Sequence, residues 1–192
     1  MKVLVISESA FGNTRAVAEA IAQGAASRGA AVEVLGVADA PASLPGDVDV
    51  LVLAAPTHSG GLSTARTRAI AAKQGGRPPS RGIREWIDGA DPSAAIVTFA
   101  VGTTTNGRGY AGSAAKAAAK TLAARGFPQA QAVDFLVAGA PPVLADGERD
   151  RAVLMGEAIV TGEPLPGVQA PAVPAGGGAR PSLWRRLFAA RA

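Results

Sequence analysis

The chain has 192 residues, 48% hydrophobic and 18% charged, which is enough for one domain with a sizeable core and too little for two ordinary ones. It has no cysteine and a single histidine, His58, so disulfides, thiol catalysis, thiolate metal sites and polyhistidine metal centres are excluded. The net charge of +4 lies wholly beyond Glu163, in Arg180, Arg185, Arg186 and Arg191.

Val3 to Ile6 is a continuous apolar run, the signature of a strand buried on both faces in a parallel sheet. Residues 7–14 form a loop of small and hydroxyl side chains. The spacing of Ala16, Val17, Ala20, Ile21 and Ala25 then predicts a helix over 14–28, stopped by Gly29. Residues 31–35 read as a second strand, placed at the sheet edge because Glu33 interrupts it. After Pro41 and Pro45-Gly46, a third strand runs over 48–55 and ends at Pro56. Thr57 to Ser63 is a loop, followed by a basic helical pattern to about Ala72, broken at Gly75-Gly76-Arg77-Pro78-Pro79.

Residues 80–87 predict another turn or two of helix, with Ile83 and Trp86 facing inward. A fourth strand is expected over 94–101 and a Gly-rich loop over 102–112. An Ala-rich helix over 113–125 leads to a fifth strand over 132–137. A last helix over 147–161 has Asp146 as its expected N-cap. Arg66, Arg68, Lys73, Arg77, Arg81 and Arg84 form a basic run without acids between Pro56 and Arg84, read as a solvated face. No aromatic residues interleave with it, so nucleic-acid binding is not expected. No run approaches a transmembrane span, and the four apolar residues after Lys2 are too few for a signal-peptide core. A cytoplasmic protein is expected.

Strands alternating with helices define an α/β domain with a doubly wound five-stranded parallel sheet and helices on both faces. Ligands of such sheets bind beyond the carboxyl ends of the strands. Here those ends carry the loops 7–14, 56–63 and 102–112. The first is followed directly by a helix. Its free amides and the positive end of the helix dipole converge on one point, a place for a phosphate monoester. A phospho-receiver site lacks its acid at the end of the third strand and its lysine after the fifth. A Rossmann site needs Gly-x-Gly-x-x-Gly and an acid closing the second strand, and only Gly12 is present in the loop. A nucleophilic hydrolase lacks the Gly-x-Ser-x-Gly elbow.

Ser9-Ala10-Phe11-Gly12-Asn13-Thr14, with Ala18 and Ile21 following, resembles the phosphate-binding loop of the flavodoxin family. Pro56-Thr57-His58 and Gly82-Ile83-Arg84-Glu85-Trp86 are similar to segments of bacterial flavodoxin-domain proteins. The likeness runs over roughly residues 1–162. It implies the strand order 2-1-3-4-5 and a non-covalently bound FMN as cofactor. Ser9, Ala10, Phe11, Gly12, Asn13 and Thr14 would hold its phosphate. Pro56, Thr57, His58, Ser59, Gly60 and Gly61, with Gly102, Thr103, Asn106 and Tyr110, would meet the flavin ring. Tyr110 is the only aromatic in the second and third loops, and His58 the sole second ring available to flank the flavin.

The implied function is an electron-transfer protein serving redox protein partners. The alternatives are an FMN-dependent oxidoreductase acting directly on a quinone or porphyrinogen-type substrate, and a flavin-free interaction module. Residues 163–181 are too rich in proline and glycine for helix or core strand and read as a linker. Residues 182–192 predict a short basic amphipathic helix, capped by Ser182 with Leu183, Trp184, Leu187 and Phe188 on one face. It is suited to a membrane surface or a partner groove.

Overall fold

The computed structural model describes residues 1–92, 96–105, 112–128 and 130–166. The elements in chain order are β1 (Lys2–Ser7), α1 (Asn13–Ser27), β2 (Ala31–Gly36), β3 (Val50–Pro56), α2 (Ala65–Lys73) and α3 (Ile83–Gly89). There follow β4 (Val97–Thr104), α4 (Ala114–Ala124), β5 (Gln131–Ala138), β6 (Val143–Leu144) and α5 (Glu148–Thr161). They build one sheet of order β2-β1-β3-β4-β5-β6.

The first five strands are parallel and in the expected order. The sheet has a sixth strand that the sequence reading lacks: Val143–Leu144 pairs antiparallel with Val137 and Ala138. Two residues are too few for a periodic signal, so this strand exists only because the chain turns back beside β5.

The continuous apolar character of β1 and β3 follows from burial on both faces. Val3, Val5, Val50, Val52, Phe99 and Val101 pack on one side, with α1 and α5. Leu4, Ile6, Leu51, Leu53 and Ala100 pack on the other, with α3 and α4. Strand alternation assigns neighbouring residues to opposite cores. β2 is half exposed, as its polar interruption predicts for an edge strand. The packed body continues beyond 162, because Leu165 is buried in the first core. The rest of the linker and the helix expected over 182–192 lie outside the described residues.

Two expected boundaries move. β4 extends to Thr104, three residues past its expected end, so Gly102 and Thr103 belong to the strand and not to the loop after it. The last helix is capped by Gly147 in the left-handed conformation (φ 76°) with no side-chain cap, not by Asp146. The first acid of that helix, Glu148, turns to the sheet instead, accepting from the Leu136 amide (2.9 Å) and the Arg151 guanidinium.

α1 and α5 approach so closely that their glycines are required. A methyl group on Gly24 would overlap the Val153 carbonyl, and one on Gly156 the Ile21 carbonyl. Neither obstacle is a movable side chain. Gly156→Ala is therefore expected to lower stability by about 2–3 kcal/mol in urea titration. Gly89→Ala, where nothing stands within 4 Å of the added carbon, should leave stability unchanged or raise it slightly.

Candidate functional site

The loop between β1 and α1 is shaped by its own side chains. The Gly12 amide donates to Ser9 Oγ (3.0 Å), and Gly12 enters the helix at φ 92°, where a side chain would be strained. The amides of Ala10, Phe11, Asn13 and Thr14 have no hydrogen-bond partner among the described residues. They are the unsatisfied donors that a helix start offers to an anion. Two long-range bonds fix the loop to the rest of the sheet. Thr14 Oγ1 bonds Thr103 Oγ1 (2.8 Å) at the end of β4. Asn13 Nδ2 donates to the Pro142 carbonyl (2.9 Å) ahead of β6.

Beyond β3 the chain makes a two-residue turn. His58 and Gly61 exchange both backbone hydrogen bonds, at 2.9 and 3.0 Å, around Ser59 (φ 47°) and Gly60 (φ 84°). Positive φ at both central positions is the geometry of a type I′ hairpin turn. Gly112 packs on this turn, since a methyl there would overlap the Gly60 carbonyl. Thr57 joins the layers: its amide donates to the Thr103 carbonyl (2.9 Å), and its hydroxyl accepts from the Ala114 amide (3.1 Å) at the start of α4.

These loops enclose a cleft of about 270 Å³. Ser9, Ala10, Phe11, Asn13 and Thr14 line one end of it. Pro56, Thr57, His58, Ser59 and Thr103 line another. Gly12, Gly60 and Gly61 shape the two turns without lining the cleft. Gly102 lies within β4, where its missing side chain admits Asp134 and the first turn of α4. Asn106 and Tyr110 lie outside the described residues.

The structure adds a wall that the sequence reading did not contain. Thr67, Ile70, Ala71 and Gln74 of α2 and its C-cap face the cleft. Their i, i+3, i+4, i+7 spacing is one helical stripe. Ile70 is 47% exposed, and Phe11, 46% exposed, brings an aromatic ring from the first loop itself. The signal available was an isoleucine in an otherwise basic and small-residue helix. Val137 and Pro142 close the far side.

Beneath the cleft lies a buried ionic network. Arg68, 5% exposed, makes a two-pronged ion pair with Glu85 (2.9 and 3.1 Å) and donates to Ser63 Oγ (2.9 Å). Glu8, 1% exposed, accepts from the Ile83 amide (2.8 Å) and so caps α3 from 75 residues away. Arg81 donates to the carbonyls of Val37 and Ala40, and Arg84 to those of Leu62 and Ser63. Half of the basic run expected to be a solvated face is thus structural, because its guanidinium groups satisfy carbonyls and a carboxylate that the loops leave unpaired.

Burial pushes the Glu85 carboxyl up, but the Arg68 hydrogen bond, the amides of Glu85 and Gly82, and the Arg68 charge outweigh it, so its pKa is lowered. Burial holds the His58 imidazole below its ordinary pKa. Glu8 raises it in part and Arg68 lowers it further.

No protein-family model and no curated protein matches the chain. Solved structures do. A flavodoxin from the domain Archaea is 18% identical with a TM-score of 0.55, the alignment covering 84% of this chain and 98% of that one. Oxidised flavodoxin 1 from Bacillus cereus is 18% identical with a TM-score of 0.58 over the same shares of both chains. The rubredoxin oxygen:oxidoreductase of the anaerobe Desulfovibrio gigas is 17% identical (TM-score 0.56), with 84% of this chain covering 35% of that protein. At these identities the likeness is one of architecture: the chain has the flavodoxin fold.

Two outcomes follow from the electrostatics. Removing Arg68 leaves the Glu85 carboxylate and the Ser63 hydroxyl without their partner, so Arg68→Ala is expected to cost roughly 3 kcal/mol in denaturant titration, while Arg66→Ala on the exposed side of α2 stays within about 0.5 kcal/mol. His58 binds its proton less readily folded than unfolded. Its contribution to stability is full above the unfolded pKa of about 6.5 and is lost as pH falls toward the lower folded value. His58→Gln should flatten the stability–pH profile in that window.

Proposed function

We propose that the chain binds FMN non-covalently in the 270 Å³ cleft and carries electrons between redox protein partners. The observation that supports this most is the convergence of unpaired loop amides at the N-terminus of α1 with the ends of β3 and β4 around one cleft. When bound, FMN supplies the electron transfer, and the protein supplies place and environment. The amides of Ala10, Phe11, Asn13 and Thr14, with the Thr14 hydroxyl, fit a phosphate monoester. Phe11, Ile70 and Pro56 give the cleft apolar surface of the kind a flat aromatic ring needs, and the turn at Ser59 and Gly60 borders it.

His58 lies half-buried beside the same cleft, uncharged at neutral pH because its pKa is lowered, and so adds no positive charge there. The exposed Phe11 and Ile70 at the cleft leave apolar surface for a partner protein to cover, which favours a carrier over a closed-site enzyme. Among the described residues no helix is long and apolar enough to cross a membrane.

The test is the visible spectrum of the purified protein and the rebinding of FMN to the flavin-free form. Bound flavin absorption is expected, with Thr14→Val weakening FMN by about tenfold, or about 1.4 kcal/mol, and leaving the weaker binding of riboflavin, which has no phosphate, unchanged. Failure to retain or rebind FMN would overturn the reading. Steady turnover of a quinone with a nicotinamide donor would replace the carrier by a direct oxidoreductase.

A further inference from the structure

Among the described residues that line the cleft, His58 is the only one with an ionisable side chain; the others are apolar, hydroxyl or amide residues. Its place is fixed through the backbone. The paired hydrogen bonds to Gly61 close the turn, and Gly112 and Ala117 stand against that turn from outside. The His58 ring makes no hydrogen bond or ion pair among the described residues, so it does not staple the loop. It lies half-buried in the cleft wall, free to answer a change of charge there.

The charges that act on the ring are already committed elsewhere. Burial has the largest influence and holds the imidazole neutral at neutral pH. Glu8, beyond β1, opposes this, and it is itself buried and accepts from the Ile83 amide. Arg68 of α2 reinforces it, and is buried in its ion pair with Glu85 of α3. α4 meets the turn through Ala117, which carries no charge. A half-buried imidazole responds strongly to a new negative charge nearby, because little water stands between the two to screen them.

We propose that His58 is the proton acceptor of flavin reduction in this protein: its ring binds a proton as electrons enter the cleft and releases it as they leave. The inference rests on the FMN reading above and adds the group that balances its charge. Two electrons from a redox partner, which is oxidised, and one proton from water on the flavin leave one added negative charge. A second proton from water, held on the His58 ring, cancels it. Proton binding and reduction then strengthen each other equally, by the reciprocity of linked equilibria. Lowering the pH through the range where His58 titrates therefore favours the reduced state.

His58 is the only histidine of the chain, so in untagged protein its ring protons give a single histidine signal in a proton NMR titration. The pH titration follows that signal in the flavin-free protein, with oxidised FMN, and with FMN reduced by excess dithionite. The expected result is proton binding at least about tenfold tighter in the reduced than in the oxidised protein. Potentiometry should then show the wild-type two-electron potential rising about 30 mV further than that of His58→Gln as pH is lowered through the same range, which is the tenfold expressed as voltage. Equally tight proton binding with oxidised and reduced FMN would overturn the inference and leave the FMN reading standing. So would a tightening produced by oxidised FMN and not increased by reduction, since the phosphate would then be its source. Identical potential profiles for wild type and His58→Gln would do the same. Failure to bind FMN at all would overturn both.

Discussion

The constraint on which this structure depends is the burial of a parallel sheet on both faces. In β1 and β3 every side chain from Val3 to Ile6 and from Val50 to Ala55 is covered, and every strand backbone is committed to its neighbours. Nothing chemical is left to present except at the strand ends. Because β1 is followed in space by β2 on one side and β3 on the other, the helices after β1 and β3 leave in opposite directions. The space between their starts is where a ligand fits.

Holding that space open requires charge where the core would ordinarily exclude it. Glu8 stands one residue beyond β1 and caps α3. Glu85 stands on α3 and holds Arg68 of α2. The three form a frame under the cleft that fixes the slope of α2 and so the stripe Thr67, Ile70 and Ala71. Buried ion pairs stabilise little against an apolar alternative, yet they are costly to break singly. Such a frame gives one arrangement of the loops in preference to many. The close glycine contact of α1 with α5 performs the same service on the opposite face without charge.

Much of this was legible in the residues. The unbroken apolar runs gave the parallel sheet, the family resemblance gave its order, and the small, hydroxyl-rich loop before Arg15 pointed to the free amides at the start of α1. The wall formed by α2 was not legible, since four residues spaced along a short basic helix look the same whether they face solvent or a cleft. Gly102 was misplaced from loop to strand because glycine in a buried strand and glycine in a turn carry the same letter. Its strand role depends on Asp134 and α4 lying against it. Arg68, Arg81 and Arg84 resembled a solvated face because their partners are carbonyls and a carboxylate, which pattern and periodicity do not register.

The sequence by itself determined which segments are strands, which faces are apolar, and that a small, hydroxyl-rich loop opens the first helix, because hydrophobic period and loop chemistry are local properties. Only the tertiary structure decided which side chains meet. Thr14 reaches Thr103, Asn13 reaches Pro142, and Glu8 reaches Ile83 across 75 to 129 residues of chain. Such encounters are set by the packing of helices on the sheet, and no local signal encodes them.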